Sequence, residues 1–178
     1  METRPLIVQE AAPEDIPTLR GLAEKTWWSH YPGILSHDQI VYMLRRMYDP
    51  ARLREEMETG LSTYFLARLG TLPVGFAAVG PTPLPEEFKL HKLYVHPGAQ
   101  RRGIGRQLLH VVESMARAEG ARRLILCVNR GNAGALAAYA RYGFIRREEV
   151  NVDIGGGFRM EDYVMVREIG SQPIESGE

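Results

Sequence analysis

Leu93-Tyr94-Val95-His96-Pro97-Gly98-Ala99-Gln100-Arg101-Arg102-Gly103-Ile104-Gly105-Arg106 is the stretch on which the fold turns. Its aromatic and β-branched opening reads as the end of a strand, stopped at His96-Pro97-Gly98. From Gly103 onward Ile104, Leu108, Val111, Val112, Met115 and Ala116 recur close to helical period, and Gly120 ends the run. A strand, a short loop rich in glycine and arginine, and a helix that begins on that loop together make an anion site. The first amides of a helix lack intrahelical acceptors, and the helix dipole places partial positive charge beside them. Arg101, Arg102 and Arg106 add three positive charges within six residues. Glycine at 103 and 105 lets an anion's oxygens reach main-chain amides that a side chain would shield. Taken alone, such a loop is more often a glycine turn with solvated arginines. A dinucleotide turn would want a third glycine at 108, which is Leu, and a triphosphate loop would follow Gly105 with lysine and a hydroxyl, where Arg106 and Gln107 stand.

Upstream, the β-branched run 6–8 reads as a first strand, and Pro13-Glu14-Asp15 opens a helix carrying Ile16, Leu19 and Leu22. Ser36-His37-Asp38-Gln39 is a capping box ahead of Ile40, Met43, Leu44 and Met47, and Pro50 ends or restarts that helix. The runs 61–68 and 73–80 flank a glycine turn and predict an antiparallel hairpin, followed by a strand over 88–95. Downstream, 124–128 reads as an apolar strand, 133–142 as an alanine-rich helix stopped by Gly143, and 144–153 with 158–167 as two strands around Gly155-Gly156-Gly157. The order predicts one mixed α/β domain over residues 1–169, with a loose tail over 170–178.

The chain's 178 residues, 44% of them hydrophobic, suit one core. Lys plus Arg and Asp plus Glu number 22 each, so no net charge draws the molecule to nucleic acid or an anionic membrane. Cys127, the sole cysteine, forms no internal disulfide and reads as a small core residue on an apolar strand. No metal is implied. No apolar run is long enough for a leader or a membrane span, and the expectation is a cytoplasmic protein.

Leu93-Tyr94-Val95-His96-Pro97, then Gln100-Arg101-Arg102-Gly103-Ile104-Gly105, then Asn132 with Tyr139 seven residues later and Gly143-Phe144 resemble, in order and spacing, the GNAT superfamily of N-acetyltransferases. Residues 153–158 with 162–165 further resemble a bacterial branch that includes polyamine acetyltransferases. The resemblance implies a mostly antiparallel central sheet splayed between its fourth and fifth strands, flanked by about four helices, and acetyl-CoA as cosubstrate. It implies that Leu93, Tyr94 and Val95 border the coenzyme's pantetheine arm. It gives the pyrophosphate to Gln100, Arg101, Arg102, Gly103, Ile104, Gly105 and Arg106, and places Asn132 and Tyr139 beside the arm and the sulfur. It allows a homodimer. The acceptor would be a primary amine of a polyamine-like molecule, with a protein lysine or amino terminus as an alternative, and an acyl-CoA-binding module without turnover as another.

Acetyl transfer to an amine requires a neutral nucleophile, a polarised thioester carbonyl and a proton for the departing thiolate. By resemblance Tyr139 serves the thiolate; the alternative is that it simply packs against Tyr142 and Phe144. The family's frequent glutamate is absent: Lys89 stands there. Strand alternation predicts Lys89, His91, Leu93 and Val95 on one face, which makes His91 a candidate base, with Glu86, Glu87 and solvent as rivals. Trp28, His30 and Tyr31, in Trp27-Trp28-Ser29-His30-Tyr31, are candidates for the acceptor wall, because aromatic faces attract ammonium groups by about 0.5–2 kcal/mol each. They serve equally well as core packing. His37, His96 and His110 show no ligand spacing and are expected to be exposed or capping.

Overall fold

The computed structural model describes residues 4–170; the expected tail beyond Gly170 lies outside the described residues. β1 (Leu6–Glu10) leads through a 3-10 turn at Pro13–Asp15 into α1 (Ile16–His30). α2 (His37–Met47) starts on Ser36, whose hydroxyl accepts from the Gln39 amide, but the expected capping box is only half formed, because the Gln39 side chain turns away to Arg159 O. Pro50 restarts a helix rather than merely ending one: Asp49 accepts from the Arg52 amide at 3.0 Å and caps α3 (Pro50–Thr59). That restart brings the count among the described residues to five α-helices where about four were expected. Then come β2 (Thr63–Leu69), β3 (Leu72–Pro81), β4 (Glu87–Val95), α4 (Ile104–Ala118), β5 (Arg123–Asn129), α5 (Ala133–Arg141), β6 (Ile145–Gly155) and β7 (Phe158–Glu168).

The strands form one sheet in the order β1-β2-β3-β4-β5-β7-β6. All neighbours are antiparallel except β4 and β5, which run parallel and pair only over residues 87–90 and 123–126. Beyond Leu90 the two strands part, so the splay expected between the fourth and fifth strands is present. Two cores hold the sheet from opposite faces. On one, α4 buries Ile104, Leu108 and Val112 against Val79, Leu90 and Leu124. On the other, α1 buries Leu19 and Trp27 with Ile40, Leu53, Leu66 and Phe76. Each such side chain contributes about 1.5–3 kcal/mol by leaving water, so the parted strands are fixed by packing on both faces rather than by pairing across the gap.

One irregularity in β4 decides which residues face the gap. Ala78 pairs with Lys92 while Val79 pairs with Leu90, so His91 is an extra residue, a β-bulge. Phe88 and Leu90 pack into the α4 core below the bulge, and Leu93 and Val95 pack against it above. The alternation has slipped by one residue. The expected common face of Lys89, His91, Leu93 and Val95 is therefore corrected: Lys89, between Phe88 and Leu90, takes the face of α1, opposite Leu93 and Val95.

Candidate functional site

The loop between β4 and α4 is shaped for an anion. Arg101 (φ 62°) and Gly103 (φ 76°) both sit in the left-handed region, a conformation costly for arginine and ordinary for glycine. Left-handed residues that alternate with right-handed ones turn successive amides into one concavity. After Ala99, whose amide donates to His96 O at 2.8 Å, Gln107 is the next residue whose amide reaches a main-chain carbonyl, that of Gly103 at 3.0 Å. The amides of Ile104, Gly105 and Arg106 thus stand at an open helix end. Arg101, Arg102 and Arg106 are exposed, and among the described residues none of the three pairs with a carboxylate. Gly105 is informative because the fold does not need it. Its φ is not positive, and a Cβ there would meet only Val95 Cγ2, at an ordinary 3.7 Å.

The gap runs from Leu90 up to the loop. The His96 amide donates to Val74 O on β3 at 2.8 Å, and Tyr94 pairs with Phe76. By two-residue alternation the peptide groups of Leu93 and Val95 point the other way, toward β5, where no strand lies against them. Val95 O receives only the Gln100 side-chain amide, at 3.4 Å. A ligand that carries amides can occupy this edge as an added strand would. The Tyr94 ring, by contrast, turns to the α1 face and joins an aromatic cluster with Trp27 and Phe76, at centroid distances of 6.0 and 5.7 Å.

On the α4 side of the gap stands α5. Asn132 is buried and caps it, its side-chain oxygen accepting from the Ala135 amide at 3.2 Å. Two turns on, Tyr139 packs its edge on Phe144, with centroids 5.6 Å apart, beside the core to which Leu93 and Val95 belong. Burial, and then Tyr31 and Tyr142, hold the Tyr139 phenol well above its ordinary pKa, so it stays protonated.

On the α1 side, the tryptophan pair divides. Trp27 is a fully buried plug, while Trp28 is partly buried and stacks on His37 at 5.0 Å. His30 is exposed and meets Tyr31 edge-on. The Tyr31 hydroxyl lies 3.1 Å from that of Tyr94, and burial raises both phenols. Tyr31 also contributes, after burial, to the raised pKa of Tyr139. α2 closes the outer wall: Tyr42 donates to Ile154 O at 2.7 Å and Gln39 to Arg159 O at 3.0 Å.

The remaining candidates take distinct places. His91 reaches the surface at the bulge, and its imidazole is lowered to about 4, by desolvation first and then by Lys89 and Lys92; its exposure to solvent softens the first cause. Glu87 is buried and held by Arg147 at 2.8 Å, with Arg123 at 3.6 Å, so it is committed to structure. Glu86 pairs at the surface with Arg122. His96 accepts from the Gly98 amide, as a capping residue does. Cys127 corrects its sequence reading: it is exposed, because Leu126 and Val128 take the core face of β5 and turn it to the other. Two groups escaped sequence reasoning. Lys92 is buried and donates to Tyr64 Oη at 2.6 Å, with its pKa lowered to about 8 mainly by burial. Asp162 is buried on β7, and its Oδ1 has no hydrogen-bond partner. Neither could have been found from pattern, since each depends on what lies across the sheet. Among the described residues no group of three or more His, Cys, Asp or Glu could hold a metal, and no helix is long and apolar enough to cross a membrane.

Geometrically this is a site for an extended, phosphate-bearing arm that hands a group through a parted sheet. A model of the acetyltransferase (GNAT) family matches residues 24–144. Over 158 residues the chain is 27% identical to the spermidine N(1)-acetyltransferase of Thermoplasma acidophilum, which covers 86% of this chain and 94% of that one. Over 102 residues it is 38% identical to the N-alpha-acetyltransferase RimI of Mycobacterium tuberculosis, covering 56% of this chain and 62% of that one. The fold is similar to the crystal structure of the PaiA N-acetyltransferase of Thermoplasma acidophilum in complex with coenzyme A, with a TM-score of 0.79 at 23% identity over 92% of this chain and 99% of that one. The chain belongs to the acetyltransferase (GNAT) family, and is an acetyl-CoA-dependent acyltransferase.

Proposed function

We propose that the chain transfers the acetyl group of acetyl-CoA to a primary amine of a small, polyamine-like molecule, by direct attack in a ternary complex. The observation that carries this reading is the two-sided gap: Tyr139 stands on its α5 face and the hydrogen-bonded Tyr31 and Tyr94 on its α1 face. In this scheme the pyrophosphate lies on the amides of residues 101–105, each phosphate gaining about 0.3–1 kcal/mol from the helix dipole before the arginines are counted. The pantetheine amides pair with Leu93 and Val95, and Asn132 borders the arm. A β4 main-chain amide, that of Val95 or one at the bulge, donates to the thioester oxygen as negative charge develops there. The amine nitrogen attacks the carbonyl carbon from the α1 face, the C–S bond breaks, and the departing thiolate receives a hydrogen bond from Tyr139 and its proton from water. The raised pKa of Tyr139 suits a donor that is never lost to ionisation. The proton released by the amine goes to water or to His91, which its lowered pKa keeps neutral at pH 7.

A protein amino terminus is the second reading, favoured by the similarity to RimI, though that spans 56% of this chain. The small amine is preferred because the similarity to the spermidine enzyme spans 86%, and because α2 tied to the β6–β7 turn walls the acceptor face. Release of free thiol from acetyl-CoA, followed with a panel of mono-, di- and polyamines and of amino-terminal peptides, tests the proposal. Thiol release that depends on the small amines is expected. Stoichiometric coenzyme binding without it overturns the reading, and release with peptides alone transfers it to the second.

A further inference from the structure

We propose that Asp162 is the counter-ion that receives the acceptor's ammonium group, an inference that rests on the acetyltransferase reading and narrows its acceptor to cationic amines. Three placements carry it. First, β7 runs without a register break opposite β5, with Asn129 facing Asp162 and Cys127 facing Val164. Tyr163 and Met165 pack toward the α4 core while Met160 packs toward α1. Alternation therefore sends the Asp162 side chain to the α1 face, the side from which an amine would come. Second, Asp162 is 7% exposed, and its Oδ1 is wholly buried with no donor. A buried carboxylate without a partner is among the costlier features a fold can carry, and a cationic ligand would satisfy it. Third, it lies on the Tyr31 side of the gap: its carboxylate is near enough to raise the Tyr31 phenol, whose hydroxyl lies 3.1 Å from that of Tyr94.

The groups that face Asp162 define what it lacks. From β4, Lys89 is near enough to favour the ionised carboxyl, and so is Arg130 at the end of β5. Arg130 is engaged with Glu149 and Glu161 at 3.4 and 3.5 Å. Lys89 is in no ion pair with Asp162 within 4.0 Å among the described residues. From the end of α1, the Tyr31 phenol lies near enough to feel the Asp162 charge. Burial, the largest effect, raises the Asp162 pKa above the ordinary carboxyl value, and Lys89 and Arg130 oppose it.

Calorimetry on the full chain saturated with coenzyme A, titrated with 1,4-diaminobutane, n-butylamine and a polyamine, tests the inference. The wild type should bind one or more of these, and Asp162→Asn should weaken that binding at least tenfold while coenzyme A affinity stays within twofold. Unchanged amine affinity in Asp162→Asn overturns the proposal, as does a wild-type coenzyme complex that binds none of the amines. Failure to bind coenzyme A at all would instead sink the acetyltransferase reading, so the two failures are distinguishable. If Asp162→Asn melts below the assay temperature, Lys89→Met provides a second arm. Removal of the competing cation should tighten amine binding, and weaker binding would show Lys89, not a ligand, to be the partner of Asp162.

Discussion

Replacement of Gly105 by alanine should move stability and coenzyme affinity in opposite directions. Gly105 lies in the first turn of α4 without a positive φ, and a Cβ there meets only Val95 Cγ2 at 3.7 Å. The fold therefore accepts a methyl group, and the helix gains from it: alanine is favoured over glycine by about 0.5–1 kcal/mol. For a chain of this length about 1 kcal/mol raises Tm by roughly 2–4 °C. The same methyl stands in front of open amides where the pyrophosphate is proposed to lie, and should cost at least a tenfold loss of affinity, equivalent to about 1.4 kcal/mol. Since a ligand stabilises by RT ln(1 + [L]/Kd), the coenzyme-induced rise in Tm at high ligand should shrink by about that amount. Melting curves with and without coenzyme A, together with calorimetric titration, read both effects. A higher apo Tm with unchanged coenzyme affinity would refute the placement of the pyrophosphate. A lower apo Tm would refute the claim that the fold does not need this glycine.

Other substitutions separate the remaining roles. Tyr139→Phe should lower kcat by more than tenfold and leave the calorimetric Kd for coenzyme A nearly unchanged; equal turnover would remove the phenol from the mechanism. His91, lowered to about 4, does not change charge between pH 6 and 9, so His91→Ala should alter the rate without altering the shape of the pH–rate profile there. Loss of a limb near pH 6.5 would show that it titrates as an ordinary histidine. Lys92 has a folded pKa of about 8, below the 10.5 of a free lysine. The unfolded chain then binds more protons between those values, so stability should rise as pH climbs from about 8 toward 10.5. Urea titrations across that window should show a gain of roughly 3 kcal/mol, at about 1.4 kcal/mol per pKa unit, in wild type and none from this source in Lys92→Met.

Much of the fold was legible because its signals are local. The Ser36 cap, the glycine stop after α5, the hairpin turn at Gly70 and the helix opening at Gly103 are each set by a few neighbouring residues, whose backbone preferences act without reference to the rest of the chain. The anion loop was legible for the same reason, although its meaning came from the strand before it and from Asn132 and Tyr139 after it. Alternation failed at His91 because a bulge depends on the partner strand as much as on its own. Cys127 was misjudged because an apolar strand reads as buried on both faces, whereas one face of β5 lies against the opening.

The sequence by itself determined the elements, their order and the coenzyme loop, since short-range sterics and hydrogen-bonding needs suffice for these. Tertiary structure alone decided which side chains meet at the gap. Leu93 and Val95 present an unpaired edge because β4 and β5 stop pairing after Leu90. Asp162, distant in sequence from Tyr31 and Lys89, comes within range of both only when β7 lies beside β5 and α1 crosses the sheet. Burial and the electrostatic field are sums over neighbours brought together by packing, and no linear pattern encodes them one residue at a time.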